Sequence, residues 1–336
     1  MKLTLEDINS ITTGALQIEE TENAFVFHRF TKEEEELYKN TNEDFYLKTY
    51  ATSGVKFNFK TDSKSLTLKA SVSRGSSRQY FSFDLFVNAN FKDSLDNFSN
   101  VSLPESYTTI ELETGYFEKT FDLGEGEKEV TLYFPWSARA EIEEISLDDN
   151  SVVIPIKNNK KILMYGDSIT HGYDALHPSN KYATRLANAL NADEYNKAIG
   201  GEVFFPPLAE IKQPFTPDLI TVAYGTNDWS KTEKSVFDKN CKAFYENLSK
   251  NYPDTPIFAI TPIWRKAAVT ETRPFGEFFL VEEGIREATK HLKNVTVIRG
   301  FDFVPKEEKY FADLILHPND IGFEHYFKNL SDAIER

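Results

Sequence analysis

The chain is poor in cysteine, in long apolar stretches and in positive charge. It has one cysteine, Cys241, among 336 residues, which excludes an internal disulfide and a zinc site built from cysteines. No uninterrupted apolar run approaches the roughly 20 residues that a membrane-spanning helix needs. The net charge of −15 opposes binding to nucleic acid, which requires a basic face. We therefore expect neither a nucleic-acid partner nor a membrane partner.

The distribution of residue types predicts two domains. At about 150 residues per domain, the length fits two domains or one large one. Five of the six histidines and 12 of the 14 prolines follow residue 150, so titratable chemistry is expected in the second half. The N-terminus has no apolar segment followed by a small-residue cleavage site. That pattern predicts a cytoplasmic protein.

Residues 1–157 are predicted to form an antiparallel β-sandwich of the jelly-roll type. Apolar and polar residues alternate in short runs, which is typical of half-buried strands. These runs lie at 55–59, 66–70, 81–87, 110–112 and 130–134. The only helix expected in this half is a short acidic one near residues 32–38.

Residues 158–336 alternate between strands and helices, which predicts a parallel sheet with helices on both faces. Strands are expected at 161–165, 218–224, 256–260 and 295–298, and helices at 182–190, 236–248, 283–291 and 320–333. Ligands of such sheets bind beyond the carboxyl ends of the strands.

The segment from Tyr165 to Thr170 reads Tyr-Gly-Asp-Ser-Ile-Thr and directly follows a predicted strand. A serine at that point lies where a helix N-terminus offers free N–H groups to an oxyanion. Ser168 is therefore a candidate nucleophile, although serine is also a favoured helix cap. The candidate base is His317, in the sequence Leu-His-Pro-Asn-Asp before the last helix, and His171 and His177 are weaker candidates.

Two further segments supply candidate oxyanion donors. Asn227 follows the predicted strand 218–224, and its side-chain amide can donate a hydrogen bond. The loop after Asn196 contains Gly200 and Gly201, either of which offers a backbone N–H. Each segment alone is also an ordinary turn sequence.

Taken together and in this order, the four segments resemble the SGNH (GDSL) hydrolase superfamily over residues 160–336. The resemblance implies a flavodoxin-like α/β fold with Ser168 as nucleophile and His317 as base. It also implies an oxyanion hole formed by Gly201, Asn227 and the N–H of Ser168. No metal and no cofactor are implied.

The expected triad aspartate is displaced by one residue. The family usually places it three residues before the histidine, where this chain has Leu314, and the aspartate here is Asp313, four residues before. Either Asp313 still reaches His317, or the chain uses a Ser–His dyad and Asp313 is a surface turn residue.

A jelly roll followed by an SGNH domain resembles the carbohydrate O-acetylesterases of family two. By that resemblance, Trp264, Arg265 and Trp229 are candidate substrate-binding residues, because an indole can stack on a sugar and a guanidinium can hold a hydroxyl. The alternative is that each tryptophan packs under a loop. Cys241 lies on the apolar stripe of its helix and is expected to be a buried hydrophobe.

The function expected from these features is a serine esterase that removes short acyl groups, O-acetyl above all, from carbohydrates. The expected partner is a small-molecule or oligosaccharide ester. Within enzymes, the alternative is a general short-chain esterase, a lysophospholipase or a thioesterase. An alternative of another class is a carbohydrate-binding protein with an idle hydrolase domain. The oligomeric state and the role of the sandwich are left open.

Overall fold

A computed structural model describes residues 1–335 of the chain. Its strands are β1 Thr12–Thr13, β2 Gln17–Glu20, β3 Phe25–His28, β4 Lys56–Thr61, β5 Ser65–Arg74, β6 Ser82–Val87, β7 Asn90–Asp96, β8 Gly115–Asp122, β9 Lys128–Tyr133, β10 Ala138–Leu147, β11 Ile154–Pro155, β12 Lys160–Gly166, β13 Ala192–Asn196, β14 Leu219–Ala223, β15 Ile257–Ile260 and β16 Val295–Ile298. Its α-helices are α1 Leu5–Ile11, α2 Lys32–Thr41, α3 Glu43–Thr49, α4 Ser168–His171, α5 Tyr182–Ala189, α6 Pro206–Glu210, α7 Thr226–Lys231, α8 Lys234–Asn251, α9 Ala267–Thr270, α10 Phe279–Thr289 and α11 Asp320–Ile334. Short 3-10 helices span Pro178–Asn180 and Glu308–Tyr310.

The first half forms a sandwich of two antiparallel sheets, as predicted. One sheet has the order β1-β4-β9-β6-β7, with β11 paired to β4, and the other has the order β2-β3-β10-β5-β8. Inward-facing residues of both sheets, such as Phe57 and Leu132 from one and Leu68 and Ile142 from the other, share one buried core. Burial of one face of each sheet explains the period-two pattern in the sequence.

Two details of the first half differ from the sequence predictions. The alternation at 110–112 is not a strand, because this stretch lies in the loop between β7 and β8. Helices α1 and α3 were not predicted, whereas α2 covers the expected acidic helix. Thr4 and Thr31 cap α1 and α2 with reciprocal hydrogen bonds to Asp7 and Glu34, a local signal that stabilises short helices.

The second half contains one parallel sheet with the order β13-β12-β14-β15-β16, as predicted. Numbered within this sheet alone, the order is 2-1-3-4-5, which is that of flavodoxin-like folds. The order reverses between β12 and β14, so the carboxyl ends of these two strands flank the place where such folds bind ligands. Residues 167–171 and 224–231 follow those two ends directly.

The sandwich covers part of the sheet edge in the second half. Trp136 Nε1 donates to the carbonyl oxygen of Ala175 at 2.7 Å, and Ser53 Oγ donates to that of His171 at 2.7 Å. A buried ion pair joins Lys197 to Glu34 of α2 at 2.6 Å. Among residues 1–335, no helix is long and apolar enough to cross a bilayer.

Candidate active site

Ser168 is the first residue of α4, immediately after the strand β12. The helix cap is Asp167, whose carboxylate accepts the N–H of Ile169 at 3.0 Å, so the hydroxyl of Ser168 is not needed as a cap. As the first helical residue, Ser168 has a backbone N–H without an intrahelical acceptor. Gly166 is required before the turn, because a Cβ there would collide with the side chain of Thr170.

The imidazole of His317 lies directly against Ser168. The Ser168 hydroxyl donates to His317 Nε2 at 2.8 Å, and the Nδ1–H of His317 donates to Asp313 Oδ2 at 2.7 Å. The side chain of His317 is 15% exposed and Ser168 is 4% exposed, so the pair is largely buried. This is the order of hydroxyl, imidazole and carboxylate found in serine hydrolases.

Asp313 reaches His317 in spite of its displaced position in the sequence. Leu314 has a left-handed backbone (φ 61°), which tightens the loop between the two residues. The other carboxylate oxygen, Oδ1, accepts the N–H groups of Ile315, Leu316 and His317 at 2.7–3.0 Å. The loop therefore fixes Asp313 before any substrate binds.

The charges around His317 set its proton affinity. Burial alone disfavours the imidazolium, but the hydrogen bond that His317 donates to Asp313 and the charges of Asp174 and Asp313 raise the pKa of His317 above its usual 6.5. Burial likewise opposes ionisation of Asp313, yet its hydrogen bonds to His317 and to the loop N–H groups hold its pKa at about 2. Asp313 is therefore a carboxylate at neutral pH.

The two predicted oxyanion donors, the side-chain amide of Asn227 and the backbone N–H of Gly201, lie on neighbouring segments. Asn227 Nδ2 donates to the carbonyl oxygen of Glu202 at 3.1 Å, one residue beyond Gly201. Within residues 1–335 the second hydrogen of that amide has no acceptor. Gly201 has a left-handed backbone (φ 92°), and Lys231 holds its carbonyl oxygen at 2.9 Å. The contact with Lys231 fixes the backbone of this loop.

The two weaker candidate bases lie outside the site. His171 is fully buried, where its Nε2 bonds the carbonyl oxygen of Trp136 at 2.9 Å and its Nδ1 accepts the N–H of Gly200 at 3.3 Å. Burial and nearby cations lower the pKa of His171 well below 6.5. His177 pairs with Asp84 of the sandwich at 2.7 Å. Neither histidine contacts Ser168.

The two tryptophans expected at the substrate site are packed into the protein. Trp229 is 1% exposed, and its indole donates to the carbonyl oxygen of Gly276 and packs edge-on against Phe278. Its buried ring has no face for a sugar, so the stacking prediction for Trp229 is wrong. Trp264 is 7% exposed and packs against Phe311, which corrects the expectation of an open stacking platform there as well.

Arg265 lies between the sheet edge and α7. Its Nη1 donates to the carbonyl oxygen of Thr226 at 3.1 Å and to Ser230 Oγ at 2.8 Å, and its guanidinium stacks over Trp229. Arg265 therefore supports the helix that carries Asn227. Its predicted contact with a sugar hydroxyl stays a prediction.

Three buried carboxyl groups lie beneath the site. Burial raises the pKa of Glu202 to about 8, that of Asp228 to about 7 and that of Asp167 to about 6. The carboxylate of Glu202 accepts hydrogen bonds from Tyr38 and Tyr224, both at 2.6 Å. These groups hold the loops of the site together and retain protons at pH values where exposed carboxyl groups do not.

Asp174, which no sequence motif indicates, also contacts the imidazole. Asp174 is fully buried, and its Oδ2 lies 3.3 Å from His317 Nδ1. Asp174, Asp313 and His317 are the one group of potential metal ligands within residues 1–335, with ligand atoms inside 4.8 Å. Arg78 already pairs with Asp174, at 2.5 Å, and Nδ1 holds a proton for Asp313, so these residues fit a hydrogen-bonded network better than a metal site.

Comparison with known families identifies the second half of the chain. Residues 164–325, from β12 into α11, match the model of the GDSL-like lipase/acylhydrolase family. They include Ser168, Asn227, Asp313 and His317. The chain therefore contains a GDSL-like acylhydrolase domain of the SGNH type and is an esterase-type hydrolase. No curated protein matches the chain by sequence.

Several solved structures share the two-part fold. The salicylyl-acyltransferase SsfX3 from a tetracycline biosynthetic pathway is 19% identical with a TM-score of 0.79, covering 100% of this chain and 96% of its own. A family-two carbohydrate esterase from Clostridium thermocellum, in complex with cellohexaose, is 16% identical with a TM-score of 0.63, covering 85% and 93%. A family-two carbohydrate esterase from Cellvibrio japonicus is 16% identical with a TM-score of 0.64, covering 96% and 93%. At such identities the likeness establishes the fold.

Proposed function

We propose that this chain is a serine esterase that removes short acyl groups, in particular O-acetyl groups, from carbohydrates. The observation that carries the proposal is the continuous hydrogen-bonded series from Ser168 through His317 to Asp313, with distances of 2.8 and 2.7 Å. A serine hydroxyl is a weak nucleophile unless an adjacent base takes its proton. The two hydrogen bonds provide that base and hold it in the tautomer that can accept the proton.

The first half-reaction transfers the acyl group to the enzyme. Ser168 Oγ attacks the ester carbonyl carbon while His317 Nε2 takes the hydroxyl proton, and the carbonyl oxygen becomes an oxyanion. The N–H groups of Ser168 and Gly201 and the amide of Asn227 are the proposed donors to that oxyanion. When the tetrahedral intermediate collapses, the bond to the alcohol oxygen breaks and His317 returns its proton to the leaving sugar hydroxyl.

The second half-reaction releases the acid. His317 Nε2 takes a proton from water, whose oxygen attacks the acyl-enzyme carbonyl. Collapse of the second intermediate breaks the bond to Ser168 Oγ, and the proton returns from His317 to the serine. Asp313 stays ionised throughout and stabilises the imidazolium in both steps.

The carbohydrate part of the proposal is supported by architecture. The chain shares a sandwich joined to a GDSL-type domain with family-two carbohydrate esterases over most of both chains. We place the division between the domains at residues 157 and 158, in the short connection from β11 of the sandwich to β12. A small ester group suits a nucleophile that is only 4% exposed and lies at a sheet edge.

The lipid alternative receives less support. An apolar cavity of about 180 Å³ lies between the end of β15 and α10, and its lining includes Pro262, Phe278, Phe279 and Phe301. Neither Ser168 nor His317 lines this cavity. A long acyl chain seated there would therefore not be presented to the nucleophile by the cavity wall.

The test is the release of acetate from p-nitrophenyl acetate and from a panel of acetylated oligosaccharides. Ser168→Ala is expected to lose at least about 10⁴-fold in kcat. Ser249→Ala is the matched control, because it also removes one side-chain hydrogen bond, to Asn294 on the far side of the domain, and it should keep wild-type rates. Since the pKa of His317 is raised, kcat/KM should fall as the pH drops through a value above 6.5.

Each result separates the candidate functions. Faster Ser168-dependent release from the sugars than from the aryl ester supports the carbohydrate esterase. Release from the aryl ester alone supports the general short-chain esterase instead. If no substrate of the panel releases acetate in a Ser168-dependent way, the catalytic proposal is wrong and the carbohydrate-binding alternative is favoured.

A further inference from the structure

Two carboxylates, from different parts of the chain, face the same nitrogen of His317. Asp313 Oδ2 lies 2.7 Å from Nδ1 and Asp174 Oδ2 lies 3.3 Å from it. A single Nδ1–H can be shared between two acceptors, and the shorter contact is the stronger one. Asp313 is thus the main acceptor in this arrangement, and Asp174 lies where a second acceptor would be.

The β-sandwich holds Asp174 in place. Arg78, in the loop between β5 and β6, pairs through Nε with Asp174 Oδ1 at 2.5 Å and through Nη2 with Oδ2 at 2.9 Å. The hydroxyl of Tyr80 donates to Oδ1, and that of Tyr107 donates to the backbone carbonyl oxygen of Asp174 at 2.7 Å. All three residues belong to the sandwich half, so the first domain fixes a group that contacts the imidazole of the second.

The carboxylate oxygen Oδ2 of Asp174 can accept one more hydrogen bond, and it lies next to the imidazole of His317. Its Oδ1 is occupied by Arg78 and Tyr80, whereas Oδ2 has only one sandwich partner, Arg78 Nη2. A carboxylate oxygen accepts two hydrogen bonds, which leaves one for His317. The same guanidinium stacks over Tyr173, 5.1 Å from its ring centre, and the ring of Tyr173 lies 5.7 Å from that of His317.

We propose that Asp174 is a second acceptor for the Nδ1–H of His317, a positioning residue that the sandwich supplies and that preserves the imidazole tautomer when Asp313 is lost. This inference rests on the proposed esterase function, and it deepens it. It assigns the sandwich a part in catalysis through the Arg78–Asp174 pair. It also predicts that neither carboxylate alone accounts for the orientation of the base.

The test combines Asp313→Asn and Asp174→Asn singly and together. Asparagine suits position 174, because the backbone there is left-handed (φ 75°) and asparagine tolerates that conformation better than most residues. We expect about a tenfold loss of kcat for Asp313→Asn, a smaller loss for Asp174→Asn, and for the double variant about the 10⁴-fold loss that a triad aspartate can cause. The excess over the product of the single effects measures the redundancy.

A second measurement does not depend on activity. The ring of His317 is titrated by NMR in a Ser168→Ala background, with its signals assigned by His317→Gln. Asp174→Asn should lower the imidazole pKa. Arg78→Gln should raise it, because Asp174 then loses its competing cation. Opposite shifts from two variants that break the same ion pair are not expected if Asp174 only holds the domains together.

Controls cover folding. Asp174→Asn leaves Arg78 without a counter-charge, so Arg78→Gln/Asp174→Asn, which removes both charges, is measured alongside it and should lower the imidazole pKa less than Asp174→Asn alone, because the repulsion from Arg78 is removed as well. Asp84→Asn is the matched control, because Asp84 is also buried at the domain interface and pairs with a histidine, His177. It should leave the titration of His317 unchanged.

The outcomes distinguish this proposal from the esterase proposal. If hydrolysis depends on Ser168 but the double variant is no slower than Asp313→Asn and the titration is unmoved, Asp174 is no second acceptor and the esterase stands. If the titration shifts as expected but no Ser168-dependent hydrolysis occurs, the contact stands and the esterase is overturned.

Discussion

The domain interface and the catalytic edge contain the same types of charged and polar residue. They differ in whether every polar group of the network has a partner. At the interface, the ion pairs of Lys197 with Glu34 and of Lys181 with Glu194 are buried, and each lysine also donates to a further oxygen. At the catalytic edge, the series of hydrogen bonds that begins at Asp313 ends on the hydroxyl of Ser168, which within residues 1–335 has no side-chain partner beyond His317. Charged residues alone therefore do not mark the active site. The active site is marked instead by a polar network whose last group, the Ser168 hydroxyl, is left to react with a substrate.

The sharpest test of this contrast exchanges one histidine in each region. His317→Gln should lose at least about 10⁴-fold in kcat, because no other base contacts the Ser168 hydroxyl within residues 1–335. His171→Gln removes a histidine only three residues from the nucleophile, yet it should act mainly on stability, since His171 bonds Trp136 and Gly200 inside the interface. Acetate release and thermal unfolding of both variants provide the comparison. Equal losses of kcat would contradict the assignment of the base.

Breaking an ion pair at the interface should cost stability. Lys197→Met leaves the fully buried Glu34 without its cation, and the free energy of unfolding should fall by about 3–5 kcal/mol. The control is Lys328→Met, which removes the partner of Glu324 on the exposed face of α11 and should cost no more than about 1 kcal/mol. Urea unfolding measures both, and similar costs would show that the buried pair does not stabilise the interface.

Removal of the proposed side-chain oxyanion donor should have an intermediate effect. Asn227→Ala should lower kcat by about 10²–10³-fold, because a donor aimed at the developing charge contributes mainly in the transition state. Asn329→Ala is the matched control, since that amide also donates to a backbone carbonyl, of Phe303, far from Ser168. A loss confined to KM in Asn227→Ala would count against a role in the oxyanion hole.

The last test concerns the pH dependence of stability. Burial raises the pKa of Glu202 from its ordinary 4.5 to about 8, so the folded protein retains a proton that the unfolded chain releases. Stability from this group is complete below pH 4.5 and is lost as the pH rises towards 8. Glu202→Gln should flatten the fall in the urea midpoint between pH 5 and pH 8, whereas the exposed Glu127→Gln should not. An unchanged slope would mean that Glu202 is ionised in the folded state.

Residues close together in the sequence were the predictable part of the site. The strand before Ser168 and the turn before His317 have strong local patterns, and the fold brings these two residues together. Asp174 could not be predicted, because its role depends on Arg78 and Tyr80, which lie about 95 residues away. The only local hint is an aspartate shortly after the glycine that ends α4. The sequence around Trp229 likewise could not decide whether its ring is buried, because the residues that cover it, Gly276 and Phe278, come from a distant loop.

The two helices between β3 and β4 make the second half of this chain depend on the first. Tyr38 of α2 lies in the core of the second half, and Lys48 of α3 bonds the carbonyl oxygen of Gly200 at 2.8 Å. A fragment beginning at residue 158 would expose that core and lose the support of the Gly200–Gly201 loop. We therefore expect such a fragment to be less stable than the whole chain, so that expression of the hydrolase half alone requires a replacement for the lost packing of α2 and α3.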